Sequence, residues 1–226
     1  MINYIKESSS KAKRSLDQYS LFQVTPIYIK DALSDGVDIL KVIDKVESTV
    51  PQHTMQGVEA VYVGHFKEFD DRGINAMFRD GAIYVSNIQD DEADMIDDII
   101  HEIAHAVEET YAADIYGSGE IQREFVGKRK RLESLMSEYG YLDNANIDFT
   151  DIEYSRDFDL FMCDEIGYEK LTNLAFGIFL RPYAVTDIRE YFATSFEEYL
   201  YGDRKYLSTI SPVAYKKVHL VCTGEV

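Results

Sequence analysis

Tryptophan is absent, cysteine occurs twice, and basic residues are outnumbered, with 23 Lys and Arg against 41 Asp and Glu. Each scarcity excludes something. A net charge of −18 leaves no basic footprint for nucleic acid and no attraction to an anionic membrane surface. Cys163 and Cys222 form no C-x-x-C pair, which removes zinc knuckles and a disulfide framework; two buried thiols in a reducing compartment are expected. No stretch approaches the ~20 apolar residues of a membrane span. Residues 1–23 lack the apolar run of a signal peptide. These absences predict a soluble, cytoplasmic protein with neither a nucleic-acid nor a membrane partner.

What is present is enough for a sizeable core: 46% apolar residues in a chain of 226, read as one domain over 1–226. Residues 1–20 are polar and serine-rich and read as an N-terminal arm or short helix. Leu21 to Ile29 is β-like, with Pro26 marking an edge or broken strand. Val37, Leu40, Ile43, Val46 and Val50 recur at helical spacing and Pro51 stops them. Val58 to Phe66 reads as a strand. Ile74 to Phe78 and Ala82 to Ile88 flank Arg79-Asp80-Gly81, a hairpin turn signal. Further on, Glu120 to Tyr139 reads as a charged helix whose run Lys128-Arg129-Lys130-Arg131 is a solvated face in preference to an acidic-partner site. Phe158 to Leu180 reads as an apolar helix or helix pair.

The chemistry concentrates in His101-Glu102-Ile103-Ala104-His105. No Gly or Pro interrupts residues 82–116, Asp90 and Asp91 supply a cap, and Met95, Ile96, Ile99, Ile100, Ile103, Ala104 and Val107 supply a buried flank. Residues four apart share a helix face, so His101 and His105 can aim two nitrogens at one ion, binding zinc at ~2.0–2.1 Å. Glu102 flanks that point, where it can take a proton from a water on the metal. A catalytic zinc needs one more protein ligand. Glu108 and Tyr111 stand where a metzincin has Gly and His, which excludes that class. A second helix, Thr186 to Tyr201, offers Glu190, Glu197 and Glu198, and the first helix offers Glu108 and Glu109. Residue types alone leave that choice open.

The stretch Tyr183-Ala-Val-Thr-Asp-Ile-Arg-Glu190-Tyr191-Phe192-Ala193, together with the HExxH, resembles the catalytic domain of the anthrax lethal factor and Pro-Pro endopeptidase family of gluzincin zinc metallopeptidases. The shared pattern is a tyrosine, a ligand glutamate seven positions later, then two aromatics and alanine. The resemblance covers residues 75–112 and 160–215. It implies an α+β, gluzincin-like domain, with a small mixed sheet packed on the HExxH helix and a helical C-terminal half. It implies Zn2+ on His101, His105 and Glu190, with Glu102 as general base and Tyr183 as donor to the oxyanion. Residues 113–150 are then a helical insertion. Thr194 stands where the family has a carboxylate behind a zinc histidine, so Thr194 and Asp98 are the expected outer partners of the site. Ala82, Ile83, Tyr84, Val85 and Ser86 are expected to form the edge strand along which a peptide or protein substrate lies extended. The expected activity is endopeptidase. The rival expectations are a catalytically silent binding module on a peptidase fold, or a toxin-like or phage-encoded effector protease with a single target.

Overall fold

A computed structural model describes residues 19–143, 145 and 147–225; most of the expected N-terminal arm lies outside the described residues. The architecture is α+β, a five-stranded mixed sheet with many helices. Backbone contacts divide the chain into two compact units, Met1–Thr110 and Tyr111–Val226.

The first unit contains the whole sheet. The β-like run at 21–29 splits at Phe22 and Gln23, both with positive φ, into β1 (Tyr19–Leu21) and β2 (Thr25–Ile29). Asp38 caps α1 (Ile39–Thr49) by accepting from Leu40 N. A 3-10 turn over Gln52–Gly57 leads to β3 (Ala60–Gly64), and α2 (Lys67–Arg72) leads to β4 (Ala76–Arg79) and β5 (Ala82–Ser86). The β4–β5 turn is the expected one. Asp80 and Gly81 both have positive φ, at 51° and 77°, as a two-residue turn matched to strand twist requires. The metal-helix candidate, α3 (Glu92–Thr110), starts where Asp91 accepts from Ala93 N and Asp94 N.

Sheet order is β1-β2-β3-β5-β4, with β2, β3 and β5 parallel and the outer two strands antiparallel to their neighbours. Alternation then sorts the side chains. Ile27, Val61, Val63, Ile83 and Val85 are buried, while Tyr28, Tyr62 and Tyr84 stack in a row on the other face at 5.2 and 5.3 Å. Met95, Ile96, Ile99, Ile100 and Ile103 form the buried flank of α3, which packs on α1, β4 and β5.

One expectation fails here. β5, residues 82–86, is not an edge strand: it is hydrogen-bonded to β3 on one side and β4 on the other. Its main-chain groups are consumed by the ladder, so it cannot receive an extended substrate. The hairpin signal located both strands, but the order of strands in a sheet is set by long-range pairing that residue pattern does not encode. The edge is β4.

The second unit is helical: α4 (Ala112–Tyr116), α5 (Glu120–Glu138), α6 (Arg156–Leu160), α7 (Tyr168–Ala175), α8 (Ile188–Tyr201), α9 (Arg204–Ile210) and α10 (Pro212–Thr223). The apolar run at 158–180 is broken, with a π-helical turn over Phe161–Ile166 and Gly167 at φ 83° between α6 and α7. Phe125, Phe179 and Tyr191 meet ring to ring at 5.4–6.1 Å. The Tyr191 hydroxyl donates to Glu124 Oε1 at 2.7 Å, and the same carboxylate accepts from Val213 N and Ala214 N. One acid thus joins α5, α8 and the start of α10. Cys163 and Cys222 are both free thiols. Among the described residues, no helix is long and apolar enough to cross a membrane.

Candidate metal centre

On α3, His101 and His105 lie one turn apart with ring centroids 4.9 Å from each other, edge to face. Both are partly exposed, while Glu102 between them is buried. The Glu102 carboxylate is held from the sheet: Phe78 N donates to its Oε2 at 2.6 Å. That bond follows from β4 register. Ser86 N donates to Asn75 O, so alternate residues of β4 face β5, and the main-chain groups of Ala76 and Phe78 point to the open edge. Glu102 takes one of the donors on that edge.

Two more carboxylates flank the histidines. Glu108 is buried and its Oε2 lies 3.5 Å from His105 Nδ1. By residue type Glu108 is a candidate ligand only; its i,i+3 spacing from His105 is the signal for this contact. The Nδ1 side of the His105 ring thus faces Glu108. Asp98 accepts from Gln89 Nε2 at 2.8 Å. Burial raises its pKa to about 6, with the Gln89 bond opposing and the Glu102 charge adding to the rise.

In the second unit, Asp187 builds the start of α8. Its Oδ1 accepts from Arg189 N at 2.8 Å and Glu190 N at 2.9 Å. Glu190 is therefore fixed in the first turn of α8, where a carboxylate also suits the helix dipole. Thr194, one turn further, is buried. The competing glutamates have other partners. Glu197 Oε2 pairs with Arg181 Nη1 at 2.7 Å, and Glu198 Oε1 accepts from Asp203 N at the start of α9.

Tyr183 sits in a 3-10 turn over Pro182–Val185 and is 40% exposed. Its carbonyl accepts from Thr186 N and Thr186 Oγ1. Burial first, and the Glu190 charge second, push its phenol far above the usual range. The phenol therefore keeps its proton at neutral pH.

The basic run at 128–131 is not a solvated face throughout. Lys128 Nζ donates to Ile178 O and Ile210 O, and Arg129 is fully buried. The cue is phase: Arg129 falls in the stripe Ile121, Phe125, Leu132, Met136, all buried on α5.

Among the described residues, one group of three has metal-ligand chemistry and spacing: a ring nitrogen of His101, a ring nitrogen of His105 and a carboxylate oxygen of Glu190, all within 4.8 Å of one another. No family model, no curated protein and no solved structure matches this chain.

Proposed function

We propose that the protein is a zinc-dependent endopeptidase of the gluzincin type, with His101, His105 and Glu190 as ligands. The observation that carries the reading is the convergence of these three donor atoms within 4.8 Å, with a buried glutamate, Glu102, next to the first histidine on the same helix. When bound, the ion polarises a scissile carbonyl and brings the pKa of a water it holds towards ~7.

The chain's own residues supply the rest. Glu102 takes a proton from the attacking water and passes it to the leaving amine; its hydrogen bond from Phe78 N fixes which way the carboxylate faces. Tyr183, protonated at every working pH, donates its hydroxyl to the developing oxyanion. An extended peptide adds to the free edge of β4, pairing with the outward main-chain groups of Ala76 and with Phe78 O. That strand replaces β5 as the substrate platform. Glu108 orients His105, and a carboxylate behind a zinc histidine raises its basicity as a ligand.

Titrating metal-free protein with zinc tests the site. One ion per chain, lost in both His101→Ala and His105→Ala while their helical circular dichroism persists, is the expected result. A wild-type protein that takes up no zinc overturns the reading.

A further inference from the structure

Arg129 is 0% exposed and lies among apolar side chains, yet each of its three guanidinium nitrogens donates to a carbonyl. Nε donates to Val185 O at 2.9 Å, Nη2 to Thr186 O at 2.6 Å, and Nη1 to Asp151 O. The Phe158 ring lies 3.8 Å from the guanidinium carbon and the Phe125 ring 4.9 Å. The acids Asp187, Asp151 and Asp148 act on it through charge, while burial lowers its pKa to about 10; it remains a cation at neutral pH. Holding a cation there costs desolvation that an apolar residue of similar volume would avoid. A planar fork supplies what an apolar residue cannot: fixed directions for three carbonyls at once.

Those carbonyls belong to the segments that present the site's second half. Val185 closes the 3-10 turn that carries Tyr183, and Thr186 O is the last carbonyl before Asp187, the cap that holds Glu190 N. Asp151 belongs to the loop whose next residue, through Ile152 O, accepts from Ile188 N at the start of α8. We infer that Arg129, through these three carbonyls, is the positioning residue that sets Tyr183 and Glu190 in register for the metal and its substrate. The inference rests on the proposed roles of Glu190 and Tyr183. It also accounts for the helix at 120–138, since α5 becomes the post to which the ligand-bearing turn is fastened.

Arg129→Met and Arg129→Lys separate positioning from mere stability. Met keeps apolar volume but removes both the charge and the donors to three carbonyls, so some stability is lost, and urea unfolding measures how much. Lys keeps the charge but not the fork. Both are followed by urea unfolding, by hydrogen exchange of residues 183–191 in metal-free protein, and by zinc affinity in competition with a chelator. The expected result is folded protein, faster exchange confined to the 148–152 and 183–191 segments, and zinc affinity lower by about tenfold, as for outer partners of metal sites. Unchanged exchange at 183–191 overturns the role, and so does unchanged zinc affinity in a variant whose exchange has risen. A wild type that binds no zinc is a different failure: it removes the reading of the site and this role with it. Should neither variant fold, Arg129→Gln keeps a smaller planar group whose amide can serve at most two of the three carbonyls. The same segments must then loosen and zinc must bind more weakly; wild-type values overturn the role.

Discussion

The Glu102 carboxylate, one position after the first histidine of α3, accepts a hydrogen bond from the main-chain N–H of Phe78 on the edge strand β4, at 2.6 Å. The base of the proposed reaction is thereby tied to the strand on which substrate would lie.

That bond distinguishes two substitutions at one position. Glu102→Gln keeps an acceptor oxygen for Phe78 N, so unfolding free energy should stay within about 1 kcal/mol of wild type. Glu102→Ala removes the acceptor and should lose about 1.5–3 kcal/mol, the range for hydrogen bonds to charged groups. Urea denaturation of both variants measures the difference; equal stabilities would mean that the bond contributes nothing.

Glu190 and Glu197 are two turns apart on α8 and compete on sequence grounds alone. Glu197 is committed to Arg181. Glu190→Ala should therefore bind zinc far more weakly, whereas Glu197→Ala should keep zinc, because the Glu197 carboxylate is paired with Arg181. Metal analysis after dialysis reads both. Zinc lost only from Glu197→Ala would exchange the two roles.

Tyr183→Phe removes one hydroxyl. Loss of a single oxyanion donor typically costs ~2.7–4 kcal/mol of transition-state stabilisation, a factor of ~10²–10³ in rate. Zinc content and stability should be unchanged. A normal turnover number for any cleaved peptide would take Tyr183 out of the machinery.

Asp98 makes a pH prediction. Its folded pKa, about 6, lies above the ordinary carboxylate value of 3.8. The fold therefore favours the protonated acid: the group's contribution is complete below 3.8 and is lost as pH rises through 6. In metal-free protein, Asp98→Asn should match wild-type stability near pH 3.8 and exceed it at pH 7.5 by about 3 kcal/mol. Denaturation at the two pH values tests the sign; a destabilised variant at the higher pH would mean that the charged form is the favoured one.

Local chemistry made much of this legible. The i,i+4 histidines, the Asp91 cap, the Asp80-Gly81 turn and the Asp187 cap before Glu190 are all short-range features, and each is found where the residues put it. The strand order was not legible: β5 and β4 read alike as half-apolar runs, and only pairing with β3 decides which is interior. The π-helical break at 161–166 likewise carried no Pro and became visible only in the backbone. Arg129 shows a different failure. A run of four basic residues reads as solvent-facing by composition, while helical phase puts its second member inside. There the phase of the stripe was the better guide, because a fork of donors can satisfy a buried charge with carbonyls that sequence does not bring into view.

The most direct test of the central claim is digestion of a peptide library by zinc-loaded protein, side by side with zinc-loaded Glu102→Gln, with cleavage products identified by mass. The account predicts internal peptide-bond cleavage by the wild type, abolished by a chelator and restored by zinc, and none by Glu102→Gln despite full zinc content. Cleavage at the wild-type rate by Glu102→Gln, or none by a wild type that holds one zinc per chain, would contradict it.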